Sequence, residues 1–317
     1  MAEVKAEKHR WRWWVLFFVL PVMATACSGG GRGPVIDLSG PPAVNPAPVS
    51  RSDAGEELIF AVAAVNSPLS TFTLYEEMAH LLGERLGMPA RLAGSRTYAE
   101  INSLVRSRDA TLALVCSGAY VYGRNEFGME PLVVPMVDGK TTYHSYLIVS
   151  AESFITGWEG LKGRSFAFTD PMSNSGRLVP IYELWKMGET PDSLFTRHIF
   201  TYSHDSSIKA VGRGLVDAAA VDSLVYDYLV SGGDEVALNT RVIWRSPPFG
   251  INPIVVNPNL DPVLKAGLRR ELLDMHSYPA GSAILKRLGI QRFVSAEDTA
   301  YDSIRAIMDT VGIEAGP

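Results

Sequence analysis

Two short stretches carry the side chains best suited to holding a small anion. The first, Thr169-Asp170-Pro171-Met172-Ser173-Asn174-Ser175-Gly176, lies between an apolar β-type run and a helical pattern. Ser and Asn at such a junction serve as helix N-caps. The same junction also suits a tetrahedral oxyanion. The first N–H groups of a helix lack intrahelical acceptors and carry partial positive charge. Ser173, Asn174 and Ser175 add hydroxyl and amide donors to them. Gly176 would let a ligand approach the backbone. Spacing alone leaves both readings open, capping only and capping with anion binding. The second stretch is Tyr202-Ser203-His204-Asp205-Ser206, again after a strand and before a helix. Ser203 or Asp205 can cap, and His204 at the helix mouth can donate to an anion. A helix N-terminus disfavours a protonated imidazole, whereas a bound anion favours it. Taken by itself, His204 also reads as a surface or structural histidine.

Catalytic patterns are missing. The chain has no Gly-x-Ser-x-Gly elbow, no Walker A loop and no His-Glu-x-x-His pair. Ser203-His204-Asp205 contains triad residue types, but neighbours in sequence point in different directions and cannot take triad roles. With two cysteines, Cys27 and Cys116, a zinc cluster is excluded. The reading is therefore a protein that is not an enzyme and needs no metal or cofactor.

The elements that must position these stretches alternate along the chain. From Glu57 onward, apolar runs such as Leu58–Val62, Leu112–Val115, Phe166–Phe168, Ala218–Val221 and Ile254–Val256 read as strands. Helical patterns separate them, including Leu74–Leu86, a capping-box start at Thr97-Tyr98-Ala99-Glu100, and Ser175–Met187. This alternation predicts α/β layers with a mainly parallel sheet. At 317 residues and 47% hydrophobic, the chain is long enough for two lobes with cores of their own. The economical arrangement joins them by two crossing strands, near Tyr146–Ala151 and Arg241–Pro247. A formal charge of −5 without a basic stripe argues against nucleic acid.

The N-terminus reads as an export leader. Lys5, Lys8, Arg10 and Arg12 precede an apolar run from Trp13 to Ala26, too short to span a bilayer and fit for a signal-peptide core. It ends Met23-Ala24-Thr25-Ala26-Cys27, which resembles a bacterial lipobox with Cys27 as the lipidated residue. Ala24 stands where that motif more often has Leu or Val, so cleavage beside Ala26 without lipidation is the alternative. Residues 28–55, rich in Gly, Pro, Ala and Ser, read as a flexible tether. Because the chain is acidic, membrane attachment would come from the lipid and not from charge. Cys116 then has no disulfide partner and reads as a small buried hydrophobe.

Several motifs coincide in order: Tyr98-Ala99-Glu100-Ile101, Ala113 to Tyr120, Asp138-Gly139-Lys140, Asp170 to Pro180, Ser203-His204-Asp205, Val216 to Asp222, Ser246-Pro247-Pro248, and Asn252-Pro253-Ile254-Val255. Together they resemble the phosphate/phosphite/phosphonate-binding proteins of ABC importers, a branch of the bacterial periplasmic-binding-protein fold. The resemblance covers about residues 57–295. It implies an α/β fold of two lobes joined by a two-strand hinge. The expected division is a leader over 1–27, a tether over 28–55, lobe 1 over 56–150 plus 242–317, and lobe 2 over 151–241. It implies an extracytoplasmic lipoprotein of the cell envelope that captures a small phosphorus oxyanion by lobe closure and delivers it to an ABC importer permease. The alternative is a sensory module that presents the same anion to a membrane receptor. A monomer, attached to the membrane through its lipid, is implied.

Carried over residue by residue, the resemblance points to Tyr98, Ser173, Asn174, Ser175 and His204 as anion ligands. Asn174 stands where the family often has threonine. Members that bind aminoalkylphosphonates use carboxylates at the positions of Leu224 and Asn252, and some use a tyrosine at Val115. An ammonium group here would lose those bonds. Asp222 could replace them in part, yet an unpaired carboxylate would repel an oxyanion. The expected ligand is a small anion without an amine.

Overall fold

Leu58-Ile59-Phe60-Ala61-Val62-Ala63 is apolar throughout because the strand it forms is covered on both faces, and all six residues are buried. A computed structural model describes residues 57–63 and 70–313. The expected leader with Cys27, and the tether over 28–55, lie outside the described residues. The chain runs β1 (Leu58–Ala63), α1 (Ser70–Leu86), β2 (Ala90–Ser95), α2 (Tyr98–Ser107), β3 (Leu112–Leu114), α3 (Ser117–Phe127) and β4 (Glu130–Met136). After the short β5 (Thr142–Tyr143) come β6 (Ser145–Ser150), β7 (Ser165–Phe168), α4 (Val179–Lys186), α5 (Pro191–Leu194), β8 (Arg197–Phe200), α6 (His204–Gly212), β9 (Ala218–Asp222), α7 (Ser223–Ser231), α8 (Glu235–Leu238) and β10 (Thr240–Arg245). The chain returns through β11 (Phe249–Gly250) to β12 (Ile254–Val256), α9 (Pro262–Asp274), α10 (Pro279–Arg287), β13 (Arg292–Ser295) and α11 (Asp302–Val311).

Two sheets organise these elements. The first has the order β13-β4-β12-β3-β1-β2 and the second β10-β6-β9-β7-β8. Both are mixed, which corrects the expectation of mainly parallel sheets. Strands joined by a helical crossover are parallel, as in β1 with β2 and β3, and β7 with β8 and β9. Strands laid down as the chain enters or returns run against their neighbours: β6 beside β9, β10 beside β6, and β12 beside β3 and β4. The crossings also fall elsewhere than expected. Residues 145–150 and 240–245 pair with each other inside the second sheet, so the boundary at 150 leaves all of β6 on the wrong side and the one at 242 cuts through β10. The passage between sheets lies at residues 137–144 and 246–253. There β5 and β11 pair antiparallel, Tyr143 opposite Phe249, as a separate two-stranded link.

Each sheet is sandwiched by apolar clusters. Phe60, Leu82, Leu112, Leu268 and Leu272 fill one face of the first sheet. Phe166, Phe168, Leu184 and Phe195 fill one face of the second, with Phe166 stacked on Phe195. A further cluster joins residues of both halves, among them Tyr98, Val115, Cys116 and Tyr143 with Met172, Leu178 and Val179. α11 packs against α3 and α4 beside it. The capping box expected at Thr97 forms: Thr97 Oγ1 accepts the Glu100 N–H at 3.2 Å, and Glu100 Oε2 accepts the Thr97 N–H at 3.3 Å. That box fixes the first turn of α2 and with it Tyr98. Among the described residues, no helix is long and apolar enough to cross a membrane.

Candidate functional site

The loop after β7 is built by its own polar side chains. Asp170 Oδ1 accepts the Met172 N–H at 2.8 Å and its carbonyl accepts the Ser173 N–H at 2.9 Å, closing a turn. Ser173 is the N-cap, its Oγ accepting the Gly176 N–H at 3.0 Å. Asn174–Leu178 then form a widened π turn, with the Leu178 N–H bonded to the Ser173 carbonyl at 2.9 Å, before α4 begins with Pro180 in its first turn. Such single π turns recur at functional sites. Gly176 proves to serve packing and not ligand approach. A Cβ there would lie 2.5 Å from Thr169 Cβ and 3.0 Å from Ser173 Oγ.

With the cap assigned to Ser173, its neighbours are left for other work. Ser175 and Asn174 are fully buried. Ser175 Oγ has no hydrogen-bond partner, while its carbonyl accepts Ser145 Oγ at 2.7 Å. Asn174 Nδ2 donates to Tyr143 Oη at 3.0 Å, and Tyr143 Oη pairs with Ser117 Oγ at 2.7 Å. Asn174 Oδ1 has no partner. From the other half, Tyr98 brings a buried hydroxyl that also lacks one, and its backbone N–H donates to Asp170 Oδ2 at 3.2 Å. Burial holds the Tyr98 and Tyr143 hydroxyls well above their ordinary pKa, so both remain protonated. Leaving a buried polar group unpaired costs about 1–3 kcal/mol. Two such atoms on adjacent residues, Asn174 and Ser175, with a third on Tyr98, whose N–H reaches the same loop, mark a place where a polar ligand would be hydrogen-bonded.

His204 opens α6 behind the Ser203 cap and is buried. Its Nδ1 accepts the Asp222 N–H at 3.1 Å and lies 3.2 Å from Thr169 Oγ1. A backbone N–H can only donate, so Nδ1 is unprotonated and the neutral ring carries its proton on Nε2. Burial pushes the imidazole down to about 3, which keeps it neutral. His204 is thus a fixed neutral donor and not a surface histidine. Asp222 caps α7 through the Leu224 N–H at 2.8 Å, and burial pushes its carboxyl up to about 7 against the N–H groups of Leu224 and Val225. Asn252 spans the two halves: Oδ1 accepts the Ser117 N–H at 3.0 Å, and Nδ2 lies 3.5 Å from Asp222 Oδ2. Leu224 and Val115 belong to the apolar cluster around Tyr98.

Cys116 is buried, as expected. It occupies the N-cap position of α3 without a side-chain cap bond, and burial pushes its thiol up to about 11. Sequence reasoning passed over three contributors. Ser117 and Tyr143 orient Asn174. Asp170 holds the start of α2 from across the site. Asp170-Pro171 before a predicted helix was a signal for the last; nothing in local spacing pointed to Tyr143. The described residues contain no group of three His, Cys, Asp or Glu side chains that could hold a metal ion. The assembled polar groups are hydroxyls, an amide oxygen and a neutral imidazole.

The sequence pattern of the family described as "ABC transporter, phosphonate, periplasmic substrate-binding protein" matches residues 60–301, more than half of the chain. The phosphonates-binding periplasmic protein of Escherichia coli is 31% identical over 174 residues, 54% of this chain and 51% of that protein. The probable ABC transporter phosphite binding protein PhnD1 of Prochlorococcus marinus is 29% identical over 168 residues, 51% of this chain and 56% of that protein. The aligned stretches thus span about half the length of these curated relatives. Two solved structures share the fold. The binding protein component of an ABC phosphonate transporter from Pseudomonas aeruginosa gives a TM-score of 0.76 at 24% identity, over 81% of this chain and 86% of that one. PhnD1 in complex with methylphosphonate gives 0.71 at 21% identity, over 81% and 98%.

Proposed function

This chain belongs to the periplasmic phosphonate-binding family of ABC transporter components, which bind substrates and are not enzymes, and from that premise we propose that it captures a small phosphorus oxyanion between two closing lobes. One observation carries the reading. Tyr98 Oη, Asn174 Oδ1 and Ser175 Oγ, drawn from two segments that the Tyr98 N–H to Asp170 bond ties together, are each buried without a protein partner. Ser175 and Tyr98 donate to anion oxygens, His204 adds its Nε2–H, and the start of the π turn and α4 contributes positive backbone potential. Ser173 stays with its cap and contributes through loop shape.

The lobes of this proposal follow the sheets, residues 57–136 with 254–313 and residues 145–245, and the β5–β11 link is the hinge. Closure brings Tyr98 to Asp170, while the ligand pairs the atoms that closure would otherwise leave unsatisfied. Leu224 and Asn252 give an ammonium group no carboxylate, and Asn252 is already engaged with Ser117. The ligand is therefore an anion without an amine: phosphite, phosphate or a simple alkylphosphonate. Delivery to an importer permease, attachment through Cys27 and action as an extracytoplasmic monomer complete the proposal. Calorimetric titration of the purified protein with phosphate, phosphite, methylphosphonate, aminoethylphosphonate and sulfate tests it. Binding of a phosphorus oxyanion in preference to sulfate is expected. Binding of none, or tighter binding of aminoethylphosphonate than of methylphosphonate, refutes the reading or its amine-free clause respectively.

A further inference from the structure

Asn174 brings a carbonyl oxygen to a place where a hydroxyl would turn to suit its ligand. The side chain is fully buried. Its Nδ2 is committed to Tyr143 Oη at 3.0 Å, and Tyr143 is held in turn by Ser117 Oγ at 2.7 Å. Tyr143 lies in β5 and Ser117 opens α3, so both anchors belong to fixed elements. An amide carries its donors and its acceptor on opposite sides of one carbon. Holding Nδ2 on Tyr143 therefore turns Oδ1 the other way, where it is buried without a partner. A carbonyl oxygen repels a fully deprotonated oxyanion and is satisfied only by a ligand donor.

We propose that Asn174, oriented by Tyr143 and Ser117, makes this site select anions that carry a hydrogen-bond donor, such as the P–OH of a monoprotonated phosphonate, over anions of the same shape and charge that carry none. The proposal rests on the oxyanion reading above and names its discriminating residue. The other titratable groups around the site are Tyr98, Cys116, Tyr143, Asp170, His204 and Asp222. At pH 5.5 Asp222, pushed up to about 7, is protonated in the closed form, and His204, pushed down to about 3, is neutral.

Methylphosphonate and methanesulfonate make the test pair. Below the second ionisation of phosphoryl groups, at about pH 6, both are tetrahedral monoanions and only the phosphonate carries an O–H. Calorimetry at pH 5.5 should show the parent preferring methylphosphonate by about 100-fold or more, because a site built around a ligand hydroxyl rejects its absence strongly. Asn174→Thr, whose hydroxyl can turn to donate, should cut that preference about tenfold, chiefly by tightening methanesulfonate. Tyr143→Phe frees the amide to turn and should shift the ratio the same way. It decides the matter if Asn174→Thr does not fold. Binding of both ligands within twofold by the parent, or an unchanged ratio in both variants, overturns the proposal alone. Failure to bind these or any other phosphorus oxyanion overturns the oxyanion reading itself, and the selectivity with it.

Discussion

Gly118 gives the most direct handle on the proposed closure. It sits in the first turn of α3, where a Cβ would press on the Met172 carbonyl oxygen and lie 2.8 Å from Asn174 N and 3.3 Å from its Cα. Carbon packs at about 3.5–4.0 Å from its neighbours, so the two halves would have to separate by roughly 0.7 Å at this point. Every atom in the way is backbone, and no rotamer change relieves the overlap. Forcing a methyl group into a packed interior costs about 1–3 kcal/mol, and a penalty of that size on the closed state weakens binding about 5- to 150-fold. The displaced residue is Asn174, whose Nδ2 reaches Tyr143. α3 itself should benefit, since Ala is favoured over Gly in a helix by about 1 kcal/mol. Gly118→Ala is therefore expected to lower affinity for the tightest anion at least fivefold by calorimetry, with an unliganded melting temperature equal to or above the parent's. Parental affinity in Gly118→Ala would refute the argument that this packing is the ligand-binding form.

Ser173 and Ser175 should separate on different axes. Ser173→Ala removes the cap and should lower stability by about 0.5–2 kcal/mol, whereas Ser175→Ala should keep its melting temperature and lose about 1.5–3 kcal/mol of anion binding. The reverse pattern would exchange their assigned roles. His204 and Asp222 predict opposed pH limbs. His204 titrates lower in the folded state, so its contribution is present above about pH 6.5 and lost as pH falls toward 3. Asp222 titrates higher when folded, so its contribution is present below about 3.8 and lost as pH rises through about 7. In the closed form, melting temperatures of Asp222→Asn should rise with pH between 3 and 6.5, those of His204→Gln should fall between 4 and 7, and the parent should be flatter than either; parallel curves would refute the assignment. At the N-terminus, Cys27→Ser should abolish fatty-acid labelling and release the protein from membranes, and unchanged retention would rule out the anchor.

The elements that local chemistry dictates were legible. A capping box at Thr97–Glu100, the apolar strands over 58–63 and 254–256, and the Ser/Asn loop before α4 all form near where periodicity and capping rules put them. What local rules do not encode was missed. Strand direction in β6, β10 and β12 depends on where the chain re-enters a sheet, and β13 is a short edge strand inside a helical tail. Glycine's freedom at 176 is visible in sequence and suggests ligand approach, whereas the close contact with Thr169 that requires it is a tertiary fact. Likewise the reading that an Asn at 174 still donates counted an amide's chemistry without its orientation. Tyr143, distant in sequence, takes the donor.

The same residues hold the halves together and present the groups a ligand would need. Tyr98 spends its N–H on Asp170 and leaves its hydroxyl unpaired; Asn174 spends its Nδ2 on Tyr143 and leaves Oδ1 unpaired. A hydrogen bond formed on closure contributes a net of about 0.5–1.5 kcal/mol, whereas a buried group left unpaired costs about 1–3 kcal/mol. In the proposed closure each unpaired atom offsets most or all of that gain, so closing without a ligand is disfavoured relative to closing around one. A ligand that pairs Tyr98, Asn174 and Ser175 removes the cost and keeps the gain, which is the differential affinity that a population shift requires. In the proposed function, recognition and closure are therefore one event: an anion too small, or of the wrong hydrogen-bonding pattern, leaves one of the three atoms unpaired and the lobes open.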